Sequence, residues 1–135
     1  MDSLRLLLVA KALRESPKPE RFTMDMWAHE CGTPACALGH YAARRDLQSA
    51  FYLDEAGSLH SCRGHDLVYV DTHGVEIADH FGITPEDVCV LFEAKQWDIE
   101  EDTWATTGGG CGGAKTAIEA AEFIERWVAQ EEAKP

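Results

Sequence analysis

The chain has 135 residues, is 45% hydrophobic, and carries 24 acidic against 12 basic side chains, a net charge of −12 with histidines neutral. That length suits one domain burying roughly two thirds of its unfolded surface, so a core needs neither a metal nor a disulfide scaffold. The charge argues against nucleic acid and anionic membranes as direct partners, since both are bound through clustered Lys and Arg, and it favours solubility or a basic partner.

A helix is predicted over residues 3–14, where Leu4, Leu6, Leu7, Leu8, Val9, Ala10 and Leu13 form a wide apolar stripe. The run from Leu4 to Ala10 does not read as a secretory leader: it is short, broken by Arg5, followed by Lys11, and lacks a small-residue cleavage site. No apolar run approaches the roughly 20 residues that span a bilayer. Five cysteines, an odd number, leave at least one thiol unbridged in a monomer. Together these features predict a cytoplasmic protein with mostly reduced thiols. Pro17 and Pro19 end the first helix, because each removes a donor and favours extended chain. Phe22, Met24 and Met26 then alternate as a short extended piece.

The segment from Arg21 to Ala43 holds the most chemistry. Thr33-Pro34 predicts a helix start, with the helix running to about Gln48: the hydroxyl can cap a backbone N–H and proline suits the first turn. Cys36 then falls in the first turn and Cys31 just outside it. A helix start stabilises a thiolate, so Cys31 and Cys36 form a candidate thiol pair, although their spacing is not the C-x-x-C of disulfide oxidoreductases. His29, Cys31, Cys36 and His40 offer four ligands within 12 residues, a chemically sensible zinc set, and His60, Cys62 and His65 provide a second, looser cluster. The competing reading is a packing corner. A cysteine behaves as a small hydrophobe, and Ala35, Gly39 and Ala43 make a column of small residues that admits a close neighbour. Packing is the favoured expectation. Cys36 with His40 is the one nucleophile candidate, and two residues a turn apart more often do nothing catalytic.

Phe51-Tyr52-Leu53, a turn over residues 54–57, and Leu67-Val68-Tyr69-Val70 suggest a small hairpin or meander. Helices follow near 75–81 and 85–95; Gly82 suits a left-handed closing position, and Thr84-Pro85 with Asp87 suits a capping start. This stretch has the pattern of a helix-turn-helix, yet its second helix offers DNA Glu86, Asp87 and Glu93 with Lys95 as its one cation. A helix corner is expected, without the DNA function.

Residues 96–113 show no periodicity and are rich in acids, threonine and glycine. The run from Gly108 to Thr116 misses the phosphate-loop pattern by one residue, since Ala114 intrudes before Lys115-Thr116. Asp98, Glu100 and Asp102 alternate as calcium ligands do, but Thr103 and Gly109 stand where that loop needs glycine and glutamate. The last helix, about 114–131, places Ala114, Ala117, Ile118, Ala121, Ile124 and Val128 on one apolar face, with Phe123 and Trp127 at its edge.

The run Phe22-x-Met24-x-x-Trp27, followed by Cys31-Gly32-Thr33-x-Ala35-Cys36-x-x-Gly39-His40, resembles a pattern in small bacterial and bacteriophage proteins that have no established activity. Leu91-Phe92 and the final helix with Ala120-Ala121, Ile124 and Trp127 extend the likeness. The resemblance implies a small helical domain and no particular substrate or cofactor; the glycines at 108–113 depart from the pattern.

The expected fold is mainly α (α+β): about five helices packed as one domain, residues 1–135, with a small antiparallel hairpin or meander in the middle. The expected function is that of a non-enzymatic cytoplasmic accessory or interaction protein of phage-derived type. A protein partner is expected to meet the acidic surface or residues 96–113, with no nucleic acid, no membrane and no cofactor. The alternative is a thiol-redox or zinc protein centred on Cys31 and Cys36, with His29 and His40 as the further ligands. A helix-turn-helix-like regulator stands third, disfavoured by charge.

Overall fold

A computed structural model of the chain describes residues 1–23, 35–47, 51–54, 59–61, 77–92, 95–98, 103–106 and 110–134. The fold is mainly α. Among the described residues there are five α-helices: α1 (Ser3–Arg14), α2 (Ala37–Ala43), α3 (residues 77–81), α4 (Pro85–Phe92) and α5 (Ala117–Glu132).

The Asp2 carboxylate opens α1 by accepting from the Arg5 N–H at 3.1 Å, and the Asp2 N–H reaches the Phe81 carbonyl at 2.7 Å, tying the first helix to the end of α3. Leu6, Val9, Ala10 and Leu13 face inward and are buried. Pro17 and Pro19 stop the helix as expected, and Pro19–Arg21 forms a single 3-10 turn.

Packing against α1 is α5, whose inner side is lined by Ala117, Ala120, Ala121, Ile124 and Val128. Three alanines on that face let two helix backbones approach closely, and Arg14 fixes their relative placement with a two-pronged bond to Glu125 (2.8 and 2.6 Å). Phe123 and Trp127 pack partly buried against this protein's own core. Helix α5 begins at Ala117, three residues later than the periodicity suggests, because Thr116 caps it: its hydroxyl accepts from the Glu119 N–H, while the Glu119 carboxylate accepts from the Lys115 N–H.

The turn between α3 and α4 follows the sequence closely. Gly82 takes a left-handed conformation (φ 63°), and Thr84 and Asp87 bond reciprocally, hydroxyl to N–H at 3.2 Å and carboxylate to N–H at 3.3 Å. Ile77, Phe81, Val88, Leu91 and Phe92 join α1, α2 and α5 in one core. Burying one large aliphatic side chain contributes about 1.5–3 kcal/mol, so this shared core carries most of the stability.

Two antiparallel strand pairs complete the described structure. Between α2 and α3, β1 (Phe51–Leu53) pairs with β2 (Leu59–Ser61), Tyr52 opposite His60. The expected partner for residues 51–53, residues 67–70, lies outside the described residues. The second pair corrects the reading of 96–113 as irregular: β3 (Lys95–Asp98) runs against β4 (Thr103–Thr106), with Trp97 opposite Trp104. Gln96 and Trp97 face Ala105 and Trp104 over a four-residue connection, so the strand signal is too short to register as period-two alternation. After β4 comes a 3-10 turn, Gly110–Gly113, packed on α4 and α5.

Candidate functional site

Helix α2 carries the residues with chemistry, and it differs from expectation at both ends. Its first residue is Ala37 and its cap is Cys36 itself, in an extended conformation with the sulfur accepting from the Gly39 N–H at 3.3 Å. The Thr33-Pro34 start therefore does not govern this helix; those two residues lie outside the described ones. A thiol takes the place usually held by a Ser or Asp oxygen at a helix start. At the other end α2 stops at Ala43 rather than near Gln48, and Arg45–Leu47 winds on as a 3-10 turn. Arg44 explains the stop. Its guanidinium is held by Asp46 (2.9 and 2.8 Å) and by Glu15 at the end of α1 (2.7 Å), and both carboxylates raise its pKa.

Of the candidate zinc set, Cys36 and His40 are described; His29 and Cys31 are not, nor are Cys62 and His65 of the looser cluster. Among the described residues no group of three or more His, Cys, Asp or Glu side chains could hold a metal ion. Cys36 is 1% exposed and shares the core with a second buried thiol, Cys111. Cys111 sits in a left-handed conformation (φ 56°) and donates to the Leu91 carbonyl at 3.0 Å. Burial pushes its thiol well above the ordinary range, and the neighbouring Cys36 adds to the rise. This environment holds a sulfur as a hydrophobe.

His40 is the one buried polar or charged residue among the described residues, 6% exposed. Its Nδ1 lies 2.8 Å from the Cys36 carbonyl oxygen, and its Nε2 lies 3.1 Å from Ser16 Oγ. A carbonyl only accepts, so Nδ1 carries the proton and Nε2 presents its lone pair to the Ser16 hydroxyl. Phe22 stands beside the ring, 6.2 Å between centroids. Ser16 follows the end of α1, where its own N–H bonds the Leu13 carbonyl. Sequence reading missed this pairing, since 24 residues separate the two and nothing near Ser16 marks it.

A second pairing was also hidden. The Tyr41 hydroxyl is hydrogen-bonded with His80 Nε2 at 2.9 Å, and His80 packs edge-on to Phe51 and Phe81. Arg5 donates to the His80 carbonyl at 2.8 Å. Desolvation, helped by Arg5, lowers the His80 pKa to about 4, and desolvation raises that of Tyr41 to about 12. His60, named with Cys62 in sequence, is instead paired with the Asp54 carboxylate at 2.7 Å and stacked on Tyr52.

At the start of α5 the Lys115 N–H bonds the Glu119 carboxylate and the Glu119 N–H bonds the Thr116 hydroxyl, so this helix start holds a carboxylate of its own. Comparison with protein families, curated proteins and solved structures finds no match to the chain.

Proposed function

We propose that the chain is a small acidic interaction protein that binds a protein partner through the outer side of α1. One observation carries this reading. While Leu6, Val9 and Leu13 are wholly inside, Leu4 is 71% exposed, Leu7 41% and the adjoining Met1 46%. These three side chains are not part of the buried core. The same helix carries Arg5, Lys11 and Arg14 and no acid, in a chain of net charge −12. Arg5 is paired with Asp2 and Arg14 with Glu125, and the apolar row with Lys11 beside it suits an amphipathic segment that carries a carboxylate next to its apolar residues. No described helix is long and apolar enough to cross a membrane.

A photo-crosslinking side chain at Leu7, in cells that naturally make the protein, tests the reading. A discrete protein adduct is expected, lost in a Leu4→Glu variant that keeps its helical spectrum. An adduct pattern unchanged by that substitution would contradict it.

A further inference from the structure

We propose that Ser16 is a reactive hydroxyl that takes acyl groups from esters, with His40 as its base and the Cys36 carbonyl as the group that aims the base. This goes beyond the binding reading and does not depend on it. The argument is geometric. A nucleophile and a base within hydrogen-bond reach, the base oriented by a third group, is the arrangement that activates a serine. Here the three members are spaced at 3.1 and 2.8 Å. The carbonyl forces the proton onto Nδ1, so the lone pair of Nε2 faces the hydroxyl that is to be deprotonated.

Both halves of the pair are held by helix ends. Cys36 caps α2 and His40 lies in its first turn, where the His40 N–H also bonds the Cys36 carbonyl at 2.9 Å. Ser16 is fixed between the Leu13 carbonyl and Pro17, and the Arg44–Glu15 ion pair (2.7 Å) clamps the end of α2 to the residue before it. The exposures differ in the useful direction: the imidazole is buried, while Ser16 is partly open to solvent.

In the step itself, Oγ bonds to the acyl carbon as its proton passes to Nε2. The tetrahedral adduct then collapses, breaking the bond to the ester oxygen, which leaves as the alcohol with the proton from Nε2. Water, deprotonated in the same way, releases the acid and restores Ser16. The sum is ester plus water giving carboxylic acid plus alcohol.

The test uses the full chain with p-nitrophenyl acetate, reading nitrophenolate release and mapping acetyl groups by peptide mass spectrometry. Acetylation at Ser16 is expected, absent in Ser16→Ala and slowed about a hundredfold in His40→Gln, the size of a general-base contribution. The wild-type rate should rise with pH as the imidazole loses its proton and then level off. Ser16→Ala lies on a surface turn, so that variant and the wild-type pH profile decide the matter even if His40→Gln misfolds. No acetyl at Ser16, an equal rate in Ser16→Ala, or a rate that climbs with hydroxide without levelling would overturn the proposal.

Discussion

The Tyr41 hydroxyl and His80 Nε2 lie 2.9 Å apart in a hydrogen bond that joins α2 to α3. Burial lowers the His80 pKa to about 4 from an ordinary 6.5. A group whose folded pKa is depressed contributes stability that is full above its unfolded pKa. For His80 that contribution falls away as pH drops from about 6.5 towards 4. Tyr41 closes the window from the other side, since its pKa of about 12 against an ordinary 10 means its contribution fades above pH 10. Urea unfolding at pH 7 and pH 4.5 should show His80→Gln to be less pH-sensitive than wild type by about 1–2 kcal/mol, allowing for solvent screening at this partly open ring. Equal pH dependence in the two proteins would count against the bond.

Cys36 acts as a helix cap, and its replacements should rank accordingly. Cys36→Ala leaves the Gly39 N–H without the sulfur acceptor it has now, and should cost about 1–2 kcal/mol, the usual loss for a cap. Cys36→Ser keeps an acceptor and should cost less. Equal losses from denaturant melts would show that sulfur volume, not capping, matters at this position.

Cys36 and Cys111 should resist alkylation. Both are about 1% exposed. Iodoacetamide applied to the native protein, followed by peptide mapping, should leave these two unmodified until denaturant is added. Rapid native labelling of Cys36 would reopen the thiol reading.

Between α1 and α5 the packing should outweigh the ion pair. Arg14 holds Glu125 below the usual carboxylate range, but both are open to solvent, and Arg14→Ala should cost far less than a truncation in the core. Ile124→Ala, at a fully buried position, should cost about 2–5 kcal/mol. Thermal melts that reverse this order would contradict the packing account.

Gly82 combines a left-handed φ with close neighbours: a Cβ there would meet the Asp2 nitrogen and Met1 Cα at 3.3 Å. Gly82→Ala should therefore lose about 1–2 kcal/mol from backbone conformation alone, and it should loosen the start of α1. Amide exchange at Asp2, whose N–H bonds Phe81, reads that loosening.

Where local chemistry decides, the fold was legible. Asp2 to Arg14, the Gly82 turn, the Thr84–Asp87 cap and the inner face of α5 each follow from residues a few positions apart. Helix α2 was misread at both ends because the competing partners are remote or unconventional: a thiol caps it, and Arg44 is drawn away by Glu15, 29 residues earlier. The strands at 95–98 and 103–106 escaped because four-residue strands hold too few alternations to detect. The candidate site was half legible. Cys36 and His40 were singled out as a pair, but their coupling runs through a main-chain carbonyl and on to Ser16, and sequence spacing carries no record of that contact.

The tautomer of His40 tests the arrangement most directly. Nitrogen-15 NMR of the histidine rings at neutral pH should find His40 protonated at Nδ1 and bare at Nε2, the reverse of the form that predominates in water. A His40 ring protonated at Nε2, with Nδ1 bare, would mean that the Cys36 carbonyl does not hold it and that Ser16 faces a donor instead of a base.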